Sequence, residues 1–184
     1  KLRSDIARVT ALVDSLLMLA RLDPLAREQL VRQEVALQPL IDRVLAQHGA
    51  EATRRGIALV GTCTLASVPG DPQLLEIVLR NLVDNALRYC PDGSRIEIAA
   101  VHHAGHARIA VRDDGPGVDA ESRQRLTERF FRVLGQGQQG SGLGLSIVKR
   151  IADLHGIALA FGSGIDGRGL GVTLDLPPAT STHQ

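Results

Sequence analysis

Two asparagines one helical turn apart, a carboxylate set in a glycine turn, and alternating glycines ahead of a helix are the residues here that could do chemistry. Asn81 and Asn85 are four positions apart in Asn81-Leu-Val-Asp-Asn85, so on a helix they share one face. An amide oxygen is a hard donor suited to Mg²⁺, which keeps several waters and bridges substrate phosphates. The plainer alternative is that both amides bond to backbone. Asp113-Asp-Gly-Pro-Gly117 places a carboxylate at a strand end, where it can accept the exocyclic amino group of adenine while glycines let the ring approach. A simple tight turn has the same composition. Gly140, Gly142 and Gly144 precede a helix, so free backbone N–H groups and the positive helix end converge where a polyphosphate could lie. The run lacks the Gly-Lys-Ser/Thr ending of a P-loop. Each segment alone leaves function open, but the three in this order suit a nucleotide site and predict ATP binding.

These segments need scaffolding. Asp71-Pro72 is a strong helix start, an N-cap followed by proline at the first helical position. It leads into Leu74, Leu75, Val78, Leu79, Leu82 and Val83, whose spacing predicts a helix carrying both asparagines. Alternation over 95–101 and 107–111 predicts two strands joined by a turn containing Gly105. A helix is expected over 143–155, with Gly156 just past its end. Further strands are expected at 31–37, 57–62, 157–161 and 171–176, and a helix from about Pro39 to Arg54. Near the start, Leu2, Ile6, Val9, Val13, Leu16 and Ala20 recur at 4-3-4-3-4 spacing. That is one apolar seam of a bundle helix, ended by Asp23-Pro24. The expected division is a bundle helix (1–22), a linker (23–30), a core domain (31–177) and a tail (178–184).

Composition narrows the class. A net charge of +1 gives no broad electrostatic case for nucleic acid or an anionic membrane. With 44% hydrophobic residues and only 2% aromatic, the core must come from Leu, Ile, Val and Ala. Cys63 and Cys90 are far apart and form no CxxC pair, so a disulfide framework or zinc site is not expected and a reducing compartment is the simpler reading. His102-His-Ala-Gly-His106 falls at the expected hairpin tip and reads as a solvated turn, because no carboxylate or cysteine nearby completes a ligand set.

On these residues the chain resembles the catalytic ATP-binding domain of bacterial sensor histidine kinases, in the superfamily that includes gyrase, mismatch-repair ATPases and an ATP-driven heat-shock chaperone. Residues 81–89 look like the N box and 113–117 the first glycine box. Arg129-Phe-Phe-Arg132 looks like the F box, and Gly140-Ser-Gly-Leu-Gly144 the second glycine box. The resemblance implies an α/β two-layer sandwich: a mixed, mainly antiparallel sheet with helices on one face, preceded by one bundle helix. It implies that Asn85 binds Mg²⁺ and Asn81 helps position phosphate. Arg88, in place of the lysine often found there, would meet phosphate and Tyr89 would pack on adenine. Asp113 would take the adenine amino group in a pocket shaped by Gly115 and Gly117. Arg132 would reach the γ-phosphate, Gly142, Leu143 and Gly144 would offer backbone donors, and 118–141 would be a lid.

Residues 1–22 resemble the second helix of the dimerisation and phosphotransfer hairpin. The His-Glu-Leu-Arg-Thr-Pro type of acceptor motif is absent from the sequence, so none of His48, His102, His103, His106, His155 or His183 inherits that role. The resemblance therefore implies a segment of a longer homodimeric kinase. It would be the cytoplasmic part of a bacterial inner-membrane sensor, donating phosphoryl to a hairpin histidine of the same or partner subunit and working with a response regulator. Three rivals stand beside it. A gyrase-like ATPase needs a water-activating carboxylate where this chain has Asn81, and an amide cannot act as that base. A serine kinase of the anti-sigma type and a non-catalytic nucleotide-binding module are the others.

Overall fold

The computed structural model describes Val13, Leu17 and residues 30–133 and 141–177. Of the expected bundle helix, only Val13 and Leu17 fall in that set, and both are helical and about half exposed. The rest of 1–22, most of the linker and the tail lie outside it.

Within residues 30–133 and 141–177, twelve elements follow in chain order. Strand β1 (Gln33–Ala36) runs directly into helix α1 (Leu37–Arg54), followed by β2 (Ala58–Cys63), β3 (Ser67–Gly70) and helix α2 (Pro72–Tyr89). A hairpin, β4 (Arg95–His103) and β5 (His106–Asp113), leads to short helix α3 (Ala120–Arg125). Helix α4 (Gly144–His155), β6 (Ala158–Ser163), a 3₁₀ turn (Ile165–Gly167) and β7 (Leu170–Asp175) complete the fold. The main sheet has the order β2-β4-β5-β7-β6, with β2 parallel to β4 and every other pairing antiparallel. β1 and β3 form a separate two-stranded antiparallel ribbon.

Ile96, Ile98 and Ala100 of β4 pair with Asp113, Val111 and Ile109 of β5, and all six are buried. The alternate residues, Arg95, Glu97 and Ala99, are exposed or half-buried. This period of two gives the sheet one core face, covered by helices, and one solvent face. The apolar stripe of α2 (Leu75, Val78, Leu79, Leu82, Val83, Ala86) packs on that core face, with α1 and α4 beside it in the same layer. The expected two-layer sandwich is the observed architecture.

Sequence punctuation explains α2 well. Asp71 accepts hydrogen bonds from the N–H groups of Gln73 (2.9 Å) and Leu74 (3.1 Å), filling two donors that a helix start leaves open. At the other end Arg55 donates to the carbonyls of Leu87 and Cys90, which have no partner within the helix. Two elements go beyond the sequence reading. β3 is a four-residue strand containing Pro69, a composition that reads as a loop but is tolerated on an edge. α3 occupies the first part of the expected lid, capped by Asp119 on the Ser122 N–H at 2.8 Å.

Candidate nucleotide-binding site

One side of α2 is apolar and buried, and its other side presents Asn81, Asn85, Arg88 and Tyr89 to a pocket. Asp113 and Gly117 border it on the sheet side, and Arg132, Gly142 and Gly144 on the side where α4 begins. Nine of the eleven residues expected from sequence thus line one cavity. Gly115 and Leu143 are not among the lining residues: Gly115 borders a neighbouring cavity and Leu143 is fully buried.

The two asparagines differ. Asn81 Nδ2 donates to the carbonyl of Ile77 at 2.8 Å, so its own helix satisfies half of the amide. Its Oδ1 faces the start of α4, where a Cβ on Gly144 would lie 3.0 Å from it. Glycine at 144 therefore lets α2 and the turn that opens α4 approach each other. The Asn85 side chain forms no hydrogen bond to another described residue, leaving an amide oxygen at the pocket for a hard cation. This donor chemistry fits Mg²⁺.

Asp113 ends β5 and is 8% exposed. Its Oδ1 accepts the N–H groups of Gly115 (2.9 Å) and Leu170 (3.1 Å). Burial raises its pKa above the ordinary carboxylate value, and those two N–H donors pull it part of the way back. Gly115 thus acts by orienting the carboxylate. The approach from the β6–β7 connection needs glycine as well, since a Cβ on Gly164 or Gly169 would overlap the Asp113 carbonyl oxygen. Cys90, at the end of α2, packs against the same carboxylate. Burial and then the Asp113 charge push its thiol up to about 12, so it is a neutral wall at physiological pH.

Ahead of α4, Gly142 adopts φ +69°, and a Cβ there would lie 2.8 Å from the Phe130 backbone. Its carbonyl accepts the Phe130 N–H at 3.0 Å, tying the two turns together. The Leu143 side chain is fully buried, and its N–H donates to Ser141 Oγ at 3.3 Å. In this arrangement Gly142 and Gly144, rather than Leu143, present backbone at the pocket. Phe131 lines the pocket beneath the Arg125 guanidinium, 4.4 Å from the ring centroid.

Sequence reasoning passed over Asp84, Phe131 and Leu170, which also line the pocket. Asp84 and Phe131 lie inside motifs already singled out and could have been found there. Leu170 is 57 residues beyond Asp113, and nothing local signals it. Among the described residues, no helix is long and apolar enough to cross a membrane.

An α/β sandwich whose asparagine-bearing helix, strand-end aspartate and glycine turn enclose one pocket defines a nucleotide-binding domain. Residues 70–180 match the family described as histidine kinase-, DNA gyrase B-, and HSP90-like ATPase. Sensor protein QseC of Salmonella typhi is 42% identical over 170 residues, covering 91% of this chain and 36% of that protein. Sensor protein kinase PmrB of Pseudomonas aeruginosa is 39% identical over 176 residues, again covering 36% of its length. The chain thus spans about a third of the length of these relatives. Among solved structures, the mycobacterial sensor histidine kinase MprB superposes with a TM-score of 0.68 at 34% identity, covering 80% of this chain and 97% of that one. The cytoplasmic segment of histidine kinase QseC gives 0.63 at 33% identity, covering 94% of each. The chain belongs to this ATPase family, as the ATP-binding catalytic domain of a sensor histidine kinase.

Proposed function

We propose that this domain binds Mg-ATP in the pocket of α2 and donates the γ-phosphoryl group to a histidine on a dimerisation hairpin. The supporting observation is the meeting in one cavity of Asn81, Asn85, Asp113 and the Gly142–Gly144 turn, drawn from separate parts of the chain. Asp113, its Oδ1 held by two backbone donors, takes the adenine amino group, and Tyr89 packs on the ring. Asn81, through the Nδ2 hydrogen that the Ile77 carbonyl leaves free, and the backbone at Gly142 and Gly144 position the polyphosphate. Arg88 and Arg132 offset its charge. Asn85 supplies an amide oxygen to Mg²⁺, which when bound neutralises charge on the phosphate oxygens. In the transfer an imidazole nitrogen bonds to the γ-phosphorus while its bond to the bridging oxygen breaks, and ADP leaves with that electron pair.

Hydrolysis is the less favoured reading. The position that would hold a water-activating carboxylate is Asn81, whose amide has no basic site and already donates to Ile77. In the intact protein we place residues 1–22 in the second hairpin helix, 31–177 as the donor domain, and a homodimer around the resulting four-helix bundle. Phosphoryl passes on to a response regulator, and this domain lies on the cytoplasmic side of an inner-membrane sensor.

The test is incubation of the 184-residue chain with γ-labelled ATP, alone and with a separately supplied complete dimerisation hairpin. Acid-labile label on the hairpin and none on the chain is the expected result. Label on one of the chain's own histidines, or none on the hairpin at any concentration, overturns the reading.

A further inference from the structure

His48 is a buried histidine with no part in the nucleotide chemistry described above, yet both its ring nitrogens are committed. Nδ1 lies 2.8 Å from the Val44 carbonyl one turn back on α1, and Nε2 lies 2.9 Å from Asp84 Oδ1 on α2. Both neighbours are acceptors, so the ring satisfies both only by donating from each nitrogen, as an imidazolium. It is 9% exposed overall, and a buried cation persists only where a fixed anion answers it. Asp84 is that anion. Its side chain remains 54% exposed and borders the nucleotide pocket, immediately before Asn85 in the chain.

A surface aspartate ordinarily samples several rotamers. Here it is flanked by Arg80 and Arg88, one helical turn to either side, either of which could draw the carboxylate away along the helix. His48, held from another helix, fixes Oδ1 instead and keeps the carboxylate at the pocket edge next to the metal-ligand candidate. Mg²⁺ keeps most of its waters when bound to proteins, and carboxylates that accept hydrogen bonds from those waters set metal affinity without touching the ion.

We propose that Asp84, oriented by His48, is a positioning residue for the hydrated metal of the bound nucleotide, accepting hydrogen bonds from metal-bound water beside Asn85. The inference rests on the reading that Asn85 holds Mg²⁺. Asp84 acts through water rather than as a direct ligand, and His48 acts through Asp84.

The experiment is calorimetric titration of the protein with the non-hydrolysable β,γ-imido analogue of ATP, with and without Mg²⁺, paired with thermal unfolding of each variant. Wild type, Asp84→Asn, His48→Phe and Asn85→Ala are compared. Asp84→Asn keeps the shape and one acceptor oxygen but removes the charge. It should lose about tenfold of the Mg²⁺-dependent gain in affinity. His48→Phe should lose a smaller part of that gain, because the carboxylate remains but is no longer aimed. Manganese titration followed by water proton relaxation should show the same order of loss, independently of nucleotide turnover. If Asp84→Asn lowers the melting temperature while keeping the full Mg²⁺-dependent gain, Asp84 merely joins α1 to α2 and the proposal fails. If Asn85→Ala also keeps that gain, the underlying assignment of the metal to Asn85 is wrong and the proposal falls with it.

Discussion

Nε2 of His155, the last residue of α4, accepts the backbone N–H of Asp71, the N-cap of α2, at 3.0 Å across 84 residues of chain. The end of the helix that begins at the phosphate side thereby anchors the start of the helix that carries the asparagines. Nδ1 of the same ring faces the Ile151 carbonyl at 2.9 Å, so it carries the proton and Nε2 is the acceptor. The ring is held neutral in one tautomer. Gly70 leaves room for it, since a Cβ there would lie 3.3 Å from the imidazole.

This contact has a pH signature. Burial lowers the His155 pKa below its ordinary 6.5, with Arg32 adding to the shift and Asp71 opposing it. The unfolded chain then binds a proton at higher pH than the folded one. The contribution of His155 is complete above 6.5 and is lost as pH falls from there towards the lowered folded value. In urea unfolding between about pH 5 and about pH 8 this group adds a slope of stability rising with pH, set against the opposite slope of His48, whose pKa the Asp84 hydrogen bond raises. His155→Gln, which keeps an acceptor but cannot titrate, should flatten that slope. An unchanged slope in the variant would place the proton elsewhere.

Replacing Asp113 with Asn should weaken ATP binding by about 1–3 kcal/mol, the usual consequence of disrupting a buried polar pairing. An amide oxygen can still accept the Gly115 and Leu170 N–H groups, so the fold should survive while an NH₂ group confronts the adenine amino group. Calorimetry with ATP and ADP reads this directly. Equal affinity for the variant would remove Asp113 from the adenine site.

Gly144→Ala separates stability from function. Gly144 is the first residue of α4, where alanine's helix-propensity advantage over glycine is less than the ~1 kcal/mol of a helix interior, and an alanine Cβ would press against Asn81 Oδ1 at 3.0 Å. Nucleotide affinity should fall by about tenfold, roughly 1.4 kcal/mol, with no loss of thermal stability. A variant that binds normally would mean that Asn81 can move aside at little cost.

Two glycines of the β6–β7 region make a matched pair. Gly169 has φ +69°, and a Cβ on it would overlap the Asp113 backbone, whereas Gly162 has no atom within 4 Å of such a Cβ. Gly169→Ala should destabilise by about 2–3 kcal/mol through strain at a left-handed position. Gly162→Ala should be neutral or stabilising by up to roughly 1 kcal/mol. Chemical denaturation of the two variants side by side tests the contrast, and equal stabilities would contradict it.

Local chemistry carried much of this protein in the sequence itself. Asp71-Pro72 specified the start of α2 because a cap and a proline act within one turn of where they stand. The spacing of Leu75, Val78, Leu79 and Leu82 specified its buried side and so the free side of Asn81 and Asn85. Gly142 and Gly144 marked a turn ahead of a helix for the same short-range reasons. Likeness to a known box supplied Arg132, which periodicity alone could not assign. What only the tertiary structure decided is which distant groups complete these motifs. Leu170 and Gly169 close over Asp113 because β7 pairs with β5, a partnership made across the 3₁₀ turn and α4. His155 reaches Asp71 because α4 packs on α2, and His48 holds Asp84 because α1 lies along its other flank. β3 was illegible because a four-residue strand containing proline has almost no pattern of its own and exists only through its pairing with β1. A turn or a cap is stabilised by its immediate neighbours and can be read in a few residues. Long-range contacts depend on sheet order and helix packing, whose free energy is spread over the whole core and written at no single position.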